Sequence, residues 1–139
     1  TQLIPKFWQE IQENGVYEKL CYVFNQQPYS NFSLSGAFYD DCINLEHQRK
    51  YLICSSLPLV NETFDGFEEY SISSGEWVVF TENYVDADDC TNKVQSLWKR
   101  VFSEWFLNSS IELRTGISFE VFIEETKTCE VWIPIQRIL

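Results

Sequence analysis

The chain has 139 residues, enough for one domain with its own core, and 45% of them are hydrophobic, which excludes a disordered segment. A net charge of −11 makes it a poor binder of nucleic acid or anionic membrane and leaves cationic ligands open. The aromatic content is high, with 11 Phe, 7 Tyr and 5 Trp, more than one core commonly uses, so some of these rings are candidates to line a cavity. The five cysteines are odd in number and lack Cys-x-x-Cys spacing, which predicts reduced thiols and a cytoplasmic location. The chain starts at Thr1 and contains no Met, which predicts residues ahead of it in the gene product.

Ile4-Pro5 opens a helix, since proline suits the first turn, and Ile4, Phe7, Trp8 and Ile11 share one face. Asn14-Gly15 ends it. A second helix is expected over 16–24. Phe32 to Tyr39 and Lys50 to Leu57 read as a strand pair, with Gly36 marking a bulge or a close approach. A short strand is expected over 69–73. Glu76 to Tyr84, with Trp77, Val78, Val79 and Phe80, reads as a strand buried on both faces. The longest helix is expected from about Thr91 to Leu107, led by Asp86, Asp88 and Asp89, with Val94, Leu97, Trp98, Val101, Phe102, Trp105 and Phe106 as its apolar stripe. Asn108 to Gly116 is a connection with room for a short strand.

The C-terminal stretch from Phe119 to Ile135 is a hairpin with a polar turn at Glu124 to Thr128. Alternation puts Cys129, Val131, Ile133 and Ile135 on one face, which reads as core. The other face reads as a mixture of carboxylates and rings, Glu120 and Phe122 with Glu130 and Trp132. A solvated face would not spend two large rings, and a packed face would not bury a carboxylate without a partner. The run from Ile4 to Ile11 matches Val94 to Val101 in apolar pattern, setting Trp8 opposite Trp98. With a hairpin after each helix, the chain reads as one domain, 1–139, of two pseudo-repeats, about 1–68 and 69–139. Each is strand-helix-strand-strand, the first lacking its opening strand. The hairpin around Phe38 and Tyr51 would then face the one around Glu120.

Five stretches carry a family resemblance: Ile4-Pro-x-Phe-Trp, Tyr70-x-Ile-x-x-Gly-x-Trp77-x-Val-Phe80, Trp98-x6-Trp105, Phe119-Glu-Val-Phe122 and Cys129-Glu-Val-Trp-Ile-Pro-Ile135. In this order the chain resembles the gyrase-inhibitor-like (GyrI-like) small-molecule-binding domain, the effector-binding module of AraC-type and MerR-type bacterial transcription regulators, found also as stand-alone proteins. The resemblance implies an α+β fold of two pseudo-symmetric halves, an antiparallel sheet and a ligand cleft between the halves. It also implies a buried glutamate for cationic, lipophilic drugs at Glu120. Phe122 stands where the family usually has Tyr and lacks its hydroxyl.

The expected ligand site is Glu120 as anion, with Phe122, Trp132 and Trp105 as walls and Tyr51 and Phe38 closing the other side. The alternative for Glu120 is a hydrogen bond to its own sheet or to Arg114. Trp8 and Trp98 read as core, and Glu130 as a solvated or paired strand residue. A second function is a hydrolase of reactive small molecules with Glu120 as base for a water. Against it stand the lost hydroxyl at Phe122, a lone His47 in a polar loop and the absence of a Gly-x-Ser-x-Gly motif. A third is a protein-interaction module whose cleft is filled by its own rings. No cofactor or metal is expected, because the Asp86–Asp89 run lacks the Gly and Glu of a calcium loop and no zinc spacing occurs. DNA is expected as a partner only through a domain outside this chain, since nothing in it is basic or helix-turn-helix-like.

Overall fold

The structure, a computed structural model, describes residues 3–25, 34–40, 49–55, 66–105, 111–114 and 116–137. Two helices open it, α1 (Leu3–Glu13) and α2 (Val16–Asn25). Gly15, between them, has φ 85°, a left-handed conformation that costs glycine nothing. Asn14 Oδ1 accepts from the Val16 backbone N–H at 3.1 Å, which satisfies an orphan donor of α2. Ile11 and Leu20 are the buried positions of this helical hairpin.

Six strands follow: β1 (Ser35–Asp40), β2 (Arg49–Cys54), β3 (Glu76–Asn83), β4 (Ile111–Leu113), β5 (Ile117–Ile123) and β6 (Thr128–Arg137). They form one open sheet in the order β2-β1-β5-β6-β3, with β4 also on β6, and every pair is antiparallel. The fold is α+β. β5 and β6 are rich in β-branched and aromatic residues, which suit a pleated, packed surface. The polar turn between them ends at Lys127, whose φ is 50°.

Between β3 and β4 runs α3 (Ala87–Arg100). Asp86 caps it, accepting from the Asp89 backbone N–H at 2.8 Å, and Asp89 reaches back to accept from the Val85 N–H at 2.9 Å. This reciprocal cap starts the helix four residues before the expected Thr91, so Asp88 and Asp89 lie inside its first turn, at the positive end of the dipole. At Val101 the α-helix passes into a π-helical turn, Val101–Trp105; the expected end at Leu107 lies outside the described residues.

Val94, Leu97 and Val101 pack on Cys129, Val131, Ile133 and Ile135, the β6 face that alternation marked as core. A second cluster on the sheet's other face joins Ala37, Ile117, Phe119 and Val121 with Trp77 and Trp132. Two strand expectations are corrected. Residues 67–75 form no strand; the Arg114 guanidinium instead donates to the carbonyls of Ser73 and Ser74 at 3.5 Å and of Glu76 at 3.4 Å. β3 is not buried on both faces: within the sheet order it ends the row beside β6, and Val79 is 40% exposed. Among the described residues no helix is long and apolar enough to cross a membrane.

Candidate functional site

The register decides which side chains meet. Gly36 lies opposite both Ile53 and Glu120, Phe38 opposite Tyr51, Glu120 opposite Val131, and Phe122 opposite Cys129. Directly opposed residues of an antiparallel pair share a face. Glu120, Phe122, Phe38 and Tyr51 therefore stand together on the face that α3 covers, beside the Cys129–Val131 core.

Glu120 is 4% exposed. Its two carboxylate oxygens have different donors. The Trp98 Nε1–H of α3 donates to Oε1 at 2.9 Å. The Tyr51 hydroxyl of β2 donates to Oε2 at 2.9 Å and itself accepts from the Trp8 Nε1–H of α1 at 2.8 Å. Three parts of the chain thus converge on one carboxylate. Rings enclose the group edge-to-face: Phe38 on Tyr51 at 5.0 Å, Phe38 on Trp98 at 5.4 Å and Trp8 on Phe122 at 5.5 Å. Phe102 stacks on Trp98 at 6.0 Å. Gly36 is the floor, where a Cβ would run into the Tyr51 ring and approach Glu120 Oε2 to 3.0 Å. The glycine expected to mark a close approach does so.

Burial pushes the Glu120 carboxyl above its ordinary 4.5, against the bonds from Trp98 and Tyr51, which lower it. No described residue forms a salt bridge with it. Burial, then the neighbouring Glu120 charge, holds the Tyr51 hydroxyl far above its ordinary 10.0, so Tyr51 stays a donor. Replacing Trp98 by phenylalanine keeps the ring and removes the Oε1 donor. The expected result is a further rise of the Glu120 pKa and a loss of about 1.5–3 kcal/mol at neutral pH, the usual worth of a hydrogen bond to a charged group. Because protonation of Glu120 weakens that bond, the difference from wild type narrows in acid; urea unfolding at pH 7 and pH 4 measures it.

Two expected wall residues stand elsewhere. Trp132 lies opposite Phe119, on the other face of the sheet from Glu120; it packs against Trp77 at 6.4 Å, and its Nε1–H donates to Glu130 Oε1 at 3.1 Å. The mixed face of two carboxylates and two rings is thereby corrected: Glu120 and Phe122 are on the core face of β6, while Glu130 and Trp132 are on the reverse. Trp105 packs on Phe80 of β3 at 5.4 Å. Arg114, the alternative partner for Glu120, stacks over Trp77 at 5.3 Å. Trp8 and Trp98, expected as core, are the two indole donors. The sequence signal for them was their matched place in the two helices, together with the need of a buried indole N–H for an acceptor.

Cys21, Cys54, Cys90 and Cys129 are free thiols, and Cys42 and His47 lie outside the described residues. Burial pushes Cys54 up to about 11 and Cys90 up to about 12, so both remain protonated at neutral pH. Among the described residues no group of three His, Cys, Asp or Glu side chains could hold a metal ion.

The model of the GyrI-like small molecule binding domain matches residues 1–136. The chain belongs to the GyrI-like family. It is a small-molecule-binding domain. Two solved structures share the GyrI-like fold over 97% of this chain, each at 15% identity. One is SAV2435 bound to tetraphenylphosphonium, with a TM-score of 0.70 and 78% of that chain covered. The other is a protein of Staphylococcus aureus MU50 provisionally assigned to bacterial transcription regulation, with a TM-score of 0.69 and 81% of that chain covered. No curated protein matches this GyrI-like chain.

Proposed function

We propose that this domain binds lipophilic cations, with Glu120 as the anionic anchor and Phe38, Tyr51 and Phe122 as walls. Trp8 and Trp98 hold the anchor. The supporting observation is a carboxylate 4% exposed, ringed by aromatic side chains and without a salt bridge from any described residue. Burying such a charge costs several kcal/mol, part of which the two hydrogen bonds return. A cationic ligand returns the rest and adds about 0.5–2 kcal/mol for each ring face it meets. A ligand enters by moving one of the rings that now pack on each other, and Trp8 belongs to neither the sheet nor α3. The tetraphenylphosphonium complex of SAV2435 supports this ligand class.

In this reading Glu120 acts as a charge, with one hydrogen bond to each oxygen holding the carboxylate in place. The domain serves as the cytoplasmic sensor part of a bacterial transcription regulator, with DNA contacted by a segment outside this chain; the relative provisionally assigned to transcription regulation supports that role. The experiment is calorimetric titration of wild type and Glu120→Gln with tetraphenylphosphonium. Wild type is expected to bind. The variant is expected to bind at least about 30-fold more weakly, because removing one partner of a buried charge pair costs roughly 2–5 kcal/mol. Equal binding by the two proteins, or none by wild type, sinks the proposal.

A further inference from the structure

A recess of about 430 Å³ opens between α3 and β3, on a part of the molecule that the Glu120 cluster does not use. Its floor is Leu97 and Val101, its walls are Phe80 and Trp105, and Arg100 and Glu104 stand at its rim. The volume is within the usual range for small-molecule sites, roughly 300–1,000 Å³. The π-helical turn that carries Trp105 belongs to a rare class of turn that concentrates at functional sites. It sets the Trp105 ring edge-to-face on Phe80, at 5.4 Å and 78°.

The rim is charged, and its ion pair is solvent-exposed. Arg100 Nε meets Glu104 Oε2 at 3.4 Å, and the two side chains are 61% and 65% exposed. An ion pair so exposed is weak and exchanges readily. The contact uses one of the five guanidinium N–H donors, and a planar carboxylate can take a neighbouring pair of them in a fork. We infer that this recess is a second binding site, separate from Glu120, for a small planar aromatic carboxylate. The ring lies against Phe80 and Trp105, and the carboxylate takes Glu104's place on Arg100.

The test is calorimetric titration with 2-naphthoate, with its uncharged amide and with 2-naphthylmethylammonium, on wild type, Arg100→Gln and Trp105→Leu. Wild type is expected to bind naphthoate more tightly than the amide, and the ammonium compound most weakly. Arg100→Gln should weaken naphthoate at least tenfold and leave the amide unchanged, while Trp105→Leu weakens both. Trp105 packs against the core and its variant can lose the fold, so the decision rests on Arg100→Gln, an exposed position whose melting temperature should match wild type. The inference is overturned if naphthoate shows no saturable binding at millimolar concentration, if Arg100→Gln binds it as wild type does, or if the ammonium compound binds more tightly.

Discussion

Glu120→Gln is expected to unfold at a higher urea concentration than wild type at pH 7, although it removes the proposed anchor of the ligand. The amide is nearly isosteric with the carboxylate. Its oxygen can still accept from Trp98, and its NH2 can donate to the Tyr51 hydroxyl oxygen at the cost of the acceptor that the Tyr51 O–H has in wild type. What disappears is a buried negative charge without a cation among the described residues. Burial is the largest cause of the raised Glu120 pKa, so the folded state binds a proton more tightly than the unfolded chain does. The sign follows from proton linkage: the protonated fold is favoured below the ordinary carboxylate value of 4.5, and that stability is lost as pH rises through the raised folded value. Above it, wild type carries the full penalty of the charge, and the variant carries none. The gain at pH 7 follows the direction of the pKa shift and reads as a higher urea midpoint for the variant. The advantage shrinks as pH falls and vanishes below the ordinary value. A variant less stable than wild type at pH 7, or one whose advantage does not depend on pH, contradicts this account. Stability and binding thus pull in opposite directions at this residue, as they often do at sites that hold charge for a ligand.

The alternation of β6 was readable from its residues: Cys129, Val131, Ile133 and Ile135 are each no more than 4% exposed. The composition of two strands, however, does not say which face of one meets which face of the other. That depends on the register, and a slip of one residue exchanges the faces. The hairpin turn sets Glu120 opposite Val131 and not opposite its neighbours Glu130 or Trp132. One residue of register separates a carboxylate-rich surface from a single glutamate set into the core. Helical periodicity put Trp105 in the apolar stripe, and it does pack against the α3–β6 core; past the π-helical turn at Val101, however, its ring lies on Phe80 and not beside Glu120. Trp8 and Trp98 read as core, and Trp98 does pack on it, but both also donate their indole N–H groups into the Glu120 cluster. An apolar stripe counts the body of the indole and is blind to its N–H. Tyr51 and Phe38 come to the Glu120 face by a different route from the expected facing of two hairpins: β1 pairs with β5, so the two hairpins lie side by side in one sheet and these rings share its face. Tyr51 reaches Glu120 itself, whereas Phe38 reaches it through the Tyr51 and Trp98 rings.

Gly36→Ala is expected to cost about 2–5 kcal/mol, a large effect for the addition of one methyl group. In an ordinary strand the same change helps by roughly 0.5–1 kcal/mol, since alanine loses less backbone entropy than glycine. Here the new Cβ lies 2.6 Å from Tyr51 Cζ, closer still to the hydroxyl, and 3.0 Å from Glu120 Oε2. Tyr51 has little freedom to yield. Its ring is packed edge-on by Phe38 at 5.0 Å and Phe7 at 6.5 Å, and its hydroxyl both donates to Glu120 and accepts from Trp8. Overpacking a tight site costs about 1–3 kcal/mol. Displacing the hydroxyl adds the loss of a charge-assisted bond, about 1.5–3 kcal/mol, which leaves the net figure above after the backbone gain. Urea midpoints at unchanged slope would measure it. A double-mutant cycle with Tyr51→Ala isolates the cause, because that substitution clears the space above Gly36. In the Tyr51→Ala background Gly36→Ala should be neutral or stabilising. An equal cost in both backgrounds would mean that the glycine is required by its strand and not by the tyrosine leaning over it. A cost that vanishes with Tyr51 places the requirement at the site: the glycine is there so that a hydroxyl can reach a carboxylate across the β1 backbone.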